Sequence, residues 1–122
     1  MSKLLGQIGE NIAAQYLQKK GYIILEQNYK KPWGEIDIIV KKGKDIIFVE
    51  VKTVSNNNFL PEEEITPRKK KILIRTAKLY LAEKRYPADQ DWQIDVIGIE
   101  MKDNNKCLLR HTENAIGENS KL

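Results

Sequence analysis

Gly34-Glu35-Ile36-Asp37-Ile38-Ile39-Val40-Lys41-Lys42-Gly43-Lys44-Asp45-Ile46-Ile47-Phe48-Val49-Glu50-Val51-Lys52 is the stretch whose reading decides the fold. A strand presents alternate residues to one side, so Glu35 shares a face with Asp37, and Glu50 shares one with Lys52. Ile36, Ile38 and Val40 then face the other way, as do Ile47, Val49 and Val51. Lys41 to Asp45 predicts a tight hairpin, and a two-residue Gly43-Lys44 loop sets Asp37 opposite Glu50 and Glu35 opposite Lys52. Like charges directly opposite each other destabilise a sheet. Two carboxylates so placed call for something between them, most simply a divalent metal ion.

Upstream of the hairpin, Leu5, Ile8, Ile12, Ala13, Tyr16 and Leu17 form a helical stripe that predicts a helix over Leu4 to Lys20, capped at Gly21. Tyr22 to Tyr29 is a β-rich run, and the hairpin strands cover Glu35 to Val40 and Ile46 to Val54. Ser55 to Pro61 and the acidic Glu62-Glu63-Glu64 predict a loop. Thr66-Pro67 is a helix cap followed by proline at the first helical position. Leu73, Ala77, Tyr80 and Leu81 mark the buried face of that second helix, which runs to about Arg85. Trp92 to Met101 is a nearly continuous apolar strand, and Cys107 to His111 is a shorter one after the turn at Asp103-Asn104-Asn105. The order α-β-β-β-α-β-β, with an apolar last long strand that needs cover on both sides, predicts an α/β fold: a central mixed sheet flanked by helices.

The 122 residues suffice for one domain with a real core, expected over 1–116, with 117–122 as a flexible tail. Cys107 is the only cysteine, and the N-terminus lacks the long apolar run of a secretory signal, which together suggest a reduced, cytoplasmic setting. No stretch is apolar over the roughly 18 to 20 residues that a bilayer requires, so no membrane association is expected. The net charge is +4, but it is unevenly spread. Thr66 to Tyr86 holds eight cations against Glu83 alone, leaving 13 cations against 16 acids elsewhere. A basic segment on a slightly acidic remainder points to a polyanion, with nucleic acid first.

Asp37, Glu50 and Lys52 form a D-x12-E-x-K pattern on two partnered strands. Asp37 and Glu50, with the Val51 carbonyl and waters, make an oxygen donor set suited to Mg²⁺ or Mn²⁺. Lys52 beside them suits a water or a charged phosphate. The plain alternative is a solvated strand face with cross-strand ion pairs, Glu35 with Lys52 in particular. Glu10 falls at the edge of the first helix's apolar stripe, where it can reach over the sheet or simply favour the helix dipole. Arg68, Lys69, Lys70 and Lys71, with Arg75 a turn on, oppose the dipole of the second helix, and a bound anion explains that placement best. Lys71 is expected nearest the site. Trp33 and Trp92 are expected to pack in the core or an interface, and the lone Cys107 and His111 to have structural roles.

These residues resemble the YraN-like family of small uncharacterised proteins over about Gly6 to Ile116. The resemblance rests on Gly6-Gln7-Ile8-Gly9-Glu10 with Ala13, Gly21-Tyr22, Asn28-Tyr29, Gly34-Glu35-Ile36-Asp37, Phe48-Val49-Glu50-Val51-Lys52-Thr53, Ala77 with Tyr80-Leu81, Asp95-Val96, and His111 with Asn114-Ala115. That family is similar in fold to the PD-(D/E)XK nucleases and the archaeal Holliday junction resolvases, which implies a restriction-endonuclease-like αβββαβ core. It further implies Asp37 and Glu50 as metal ligands, Lys52 as catalytic lysine, and Glu10 and Glu35 as accessory acids. Two positions depart from the family pattern. Val54 stands where arginine is common, and Gln93 where a basic residue is common, each removing a phosphate contact.

The expected activity is metal-dependent phosphodiester hydrolysis of DNA, branched or structured DNA included. A non-catalytic module that binds nucleic acid or a repair protein is the alternative on the same fold. Cutting both strands of a junction requires two sites, so a homodimer goes with that substrate.

Overall fold

The hairpin forms in the predicted register. In the computed structural model, which describes residues 3–55, 65–104 and 106–116, β2 (Gly34–Lys42) and β3 (Asp45–Ser55) pair antiparallel from Lys42↔Asp45 to Ile38↔Val49, closed by Gly43 and Lys44. One more step in that register sets Asp37 across from Glu50. β1 (Ile23–Lys31) pairs with the other edge of β2. β4 (Trp92–Met101) runs parallel to β3, and β5 (Cys107–Ile116) antiparallel to β4. The sheet order is β1-β2-β3-β4-β5. A parallel neighbour needs a crossover, and α2 (Pro67–Glu83) supplies it between β3 and β4. With α1 (Lys3–Lys19) in front, the result is the expected αβββαβ order, a mixed sheet flanked by helices, extended by one strand.

The two helices cover opposite faces of the sheet. On one, Leu73, Ala77, Tyr80 and Leu81 of α2 pack on Ile39, Ile46, Phe48, Ile94 and Val96. On the other, Ala13, Ala14 and Leu17 of α1 pack on Ile38, Val40, Ile47, Val49, Ile97 and Ile99. β4 contributes to both clusters, which is why its sequence is nearly continuously apolar. Each helix approaches the sheet where a side chain is missing. A Cβ on Gly9 of α1 would strike the Thr53 side chain, and one on Gly34 of β2 would strike Thr76 of α2. Thr66 accepts from Lys69 N–H at 3.1 Å, the cap read from the sequence.

The pleat is broken at one place that the alternation rule does not foresee. Ile36 packs on the α2 side with Ile39, whereas Ile38 and Val40 pack on the α1 side. The expectation that Ile36, Ile38 and Val40 share a face therefore fails. Asn28, between the pairs Gln27↔Ile38 and Tyr29↔Ile36, is left-handed at φ 53°, so β1 and β2 turn over together there. Asp37 sits at that crossing.

Three further expectations are corrected. β5 runs past His111 to Ile116, because left-handed Asn114 (φ 49°) absorbs a register shift and returns Ala115 and Ile116 to the core. Trp33 is 39% exposed at the tip of the β1–β2 hairpin, while Trp92 packs edge-on against Phe48 as expected. Cys107, expected to have a structural role, is exposed. The loop read over 56–61, the acids at 62–64, Asn105 and the tail from Gly117 lie outside the described residues.

Candidate functional site

The described ladder between β2 and β3 ends at Ile38↔Val49, and the residues next in line are Asp37 and Glu50. Asp37 turns its side chain across the gap, and its Oδ2 accepts the Val51 N–H at 2.7 Å. The carboxylate takes over a backbone donor where the strands part. Glu50 is only 8% exposed, on the strand face that carries Phe48 towards α2. The Asp37 and Glu50 carboxyl groups are hydrogen-bond neighbours. Two carboxyls can hydrogen-bond to one another only if one carries a proton. Burial first, and then the charge of Asp37, push Glu50 up to about 8, which keeps that proton in place at neutral pH. Burial also raises Asp37, against the opposing pull of the Val51 N–H, the Glu50 hydrogen bond and the Lys69 charge.

The other acids gather at the same end. Glu10 of α1 is half-buried, and its pKa is raised by burial, then by the charge on Asp37, with Glu35 adding to the effect and Lys30 opposing it. Glu35 is exposed and lies opposite Lys30 of β1. Lys52 is half-buried opposite Gly98 of β4, and strand alternation keeps it on the Glu50 face.

Of the basic run, Lys69 reaches the site, with its Nζ 3.4 Å from Glu50 Oε2. Lys71, expected nearest, is exposed on another side of α2. The close approach of Thr76 to Gly34 fixes the rotation of the helix, and Lys69, seven residues back, falls on that same sheet-facing side. Arg68 is exposed, Lys70 half-buried, and Arg75 donates to the Trp33 carbonyl at 3.2 Å.

Among the described residues no three His, Cys, Asp or Glu side chains are grouped as metal ligands. What the site offers is the Asp37 and Glu50 oxygens and the Val51 carbonyl, all hard donors of the kind that Mg²⁺ and Mn²⁺ accept. A divalent cation would relieve the like-charge pair that now needs a shared proton, so the donor chemistry fits such an ion. No helix among the described residues is long and apolar enough to cross a membrane.

A second polar cluster, not read from the sequence, lies on the α1 side. Asp95 is fully buried and accepts from Gln93 Nε2 at 2.8 Å, His111 Nε2 at 2.7 Å and Asn114 N–H at 3.0 Å. On the other side of the ring, His111 Nδ1 and the Tyr16 hydroxyl are hydrogen-bonded at 2.8 Å. Burial, then the charges of Glu113 and Asp95, raise the Tyr16 pKa and keep it a donor. Gln93, expected to mark a missing phosphate contact, is engaged here instead. The available signal was an aspartate inside an apolar run, which must find partners when buried.

A model of the family described as Uncharacterised protein family UPF0102 matches residues 9–99. A UPF0102 protein of Syntrophomonas wolfei subsp. wolfei is 43% identical over 118 residues, covering 94% of this chain and 99% of its own. A UPF0102 protein of Alkaliphilus metalliredigens is 46% identical over 107 residues, covering 84% and 93%. Among solved structures, Pyrococcus furiosus SfsA in complex with Ca²⁺ aligns with a TM-score of 0.45 at 18% identity, over 91% of this chain and 63% of that one. The chain belongs to uncharacterised protein family UPF0102, the YraN-like family that its motifs resemble.

Proposed function

We propose that the protein is a metal-dependent phosphodiesterase acting on DNA, with branched or otherwise structured DNA as the favoured substrate. The observation that carries this reading is the Asp37–Glu50 carboxyl pair, Glu50 buried and Asp37 Oδ2 turned across to the Val51 N–H, beside a half-buried lysine on the same strand face as Glu50. Asp37, Glu50 and the Val51 carbonyl would hold a Mg²⁺ or Mn²⁺ ion. Bound there, the ion supplies positive charge beside a phosphate and acidifies a water. Lys52 orients that water or takes up charge developing on the phosphate oxygens. Glu10 and Glu35 raise the negative potential that draws the cation in. Arg68, Lys70, Lys71 and Arg75 hold the phosphate backbone. Cutting both strands of a junction calls for a symmetric dimer.

The test is cleavage of labelled junction, flap, single-stranded and duplex DNA with Mg²⁺ or Mn²⁺. Asp37→Asn and Lys52→Ala are each expected to lower the rate at least about 100-fold. Activity that survives both substitutions rules this site out.

One observation favours a second reading. The Lys69 ammonium, 3.4 Å from Glu50, already supplies a cation to the pair, as it would in a module that binds nucleic acid or a repair protein without cutting. Calorimetric titration of Mn²⁺ separates the two. Binding that Glu50→Gln weakens supports the enzyme, and no binding with DNA present supports the module.

A further inference from the structure

The tip of the β1–β2 hairpin does what neither the core nor the carboxylate pair requires. Pro32 and Trp33 form its two-residue loop, closed by the pair Lys31↔Gly34. Both are exposed, Trp33 at 39%. Burial of that ring against apolar neighbours would be favourable, so the fold forgoes a stabilising contact. The tip is nevertheless held firmly. Gly34 lies so close under α2 that a Cβ would meet Thr76 and Ile72, and the Arg75 guanidinium donates to the Trp33 carbonyl at 3.2 Å. An exposed aromatic on a well-anchored turn is a ready-made platform.

Its surroundings set the charge of what can rest on it. Arg68, Lys71, Arg75 and Lys78, all exposed, follow each other at intervals of three and four residues and so form one row along α2. No acidic residue lies in α2 before Glu83. Thr76, which seats the hairpin tip, is seven residues beyond Lys69, which reaches Glu50, or about 10 Å along the helix axis. Arg75 joins this row to the hairpin tip, so a strand whose phosphates lie along the row would bring a base near Trp33.

We infer that Trp33, braced by Arg75, is a stacking platform for an unpaired nucleobase, and that the Arg68-Lys71-Arg75-Lys78 row carries the backbone of that single strand. The inference rests on the nucleic-acid reading proposed above and narrows it to a substrate with an unpaired segment that reaches the hairpin tip. In a duplex the bases stack on each other, so the platform engages only a strand that is open or branched at that point. Arg75 acts twice, fixing the turn through the Trp33 carbonyl and adding charge to the row.

The experiment uses the Trp92→Phe protein, in which Trp33 is the sole indole, titrated with an unstructured single-stranded DNA oligonucleotide and with its blunt duplex. Saturable, salt-sensitive quenching by the single strand, much weaker with the duplex, is the expected result. In the natural background Trp33→Ala weakens single-strand affinity about 5- to 150-fold and leaves duplex affinity nearly unchanged, and Trp33→Phe recovers most of the loss. If Trp33→Ala binds both forms as the parent does, the platform is overturned while nucleic-acid binding stands. If the parent retains no DNA at low salt, the underlying reading falls and the platform with it. An indole blue shift that depends on protein concentration without DNA assigns the tip to self-association and overturns the inference.

Discussion

Two buried acidic clusters occupy different parts of one sheet, and they are satisfied in opposite ways. Asp95 is fully buried but accepts three hydrogen bonds, from Gln93, His111 and Asn114. Its oxygens are supplied, and the cluster fastens β5 and, through Tyr16, α1 to β4. Asp37 and Glu50 face each other with the Val51 N–H and the Lys69 ammonium as their recorded partners from outside the pair. Two carboxyls share what would serve one, and Glu50 is held protonated to about 8 as a result. A buried acid with a full set of donors is structural, whereas a pair short of positive charge stores electrostatic cost that a cation can relieve.

Substitutions should pull the two clusters apart. The largest effect is expected for Asp95→Ala, which strands three donors in the interior. A loss of about 3–5 kcal/mol follows, read as a fall of more than about 10 °C in the thermal midpoint. A midpoint near that of the parent would mean that water replaces the carboxylate and that the cluster is not structural.

Glu50→Gln comes next, and its sign is opposite. Because the folded protein holds the Glu50 proton up to about 8 while the unfolded chain releases it near 4.5, the parent loses stability as pH rises across that interval and levels off above it. Glutamine removes this slope. With chelator present, the variant should be more stable at pH 8 by about 1–3 kcal/mol and equal to the parent near pH 4.5. Urea denaturation across that range checks it, and a parent whose stability stays flat would show the pair to be relieved already. The smallest change is Tyr16→Phe, which deletes a single hydrogen bond to His111 Nδ1 at the edge of the satisfied cluster. A cost of about 0.5–1.5 kcal/mol with unchanged Mn²⁺ binding would keep the two clusters independent.

Much of this molecule is written in short-range pattern. Thr66-Pro67 starts α2, and the Gly43-Lys44 loop sets the register that leads to Asp37 opposite Glu50. Both depend on residues only a few positions apart, and turn or capping chemistry specifies them. Contacts across greater separations were less legible. Ile36 changes face because Asn28 on the neighbouring strand is left-handed, and no count along β2 alone contains that information. Lys69 rather than Lys71 meets Glu50 because Thr76 rests on Gly34, which fixes the helix rotation from the sheet side.

By itself, then, the sequence determined the element order, the hairpin register and the candidacy of Asp37, Glu50 and Lys52, because periodicity and turns are local properties. Only the tertiary structure decided which charges are buried, which cation reaches them, that Asp95 is satisfied while the Asp37–Glu50 pair is strained, and that Trp33 stands exposed. The reason is physical: burial, and the electrostatic cost it imposes on a charge, are set by neighbours distant along the chain.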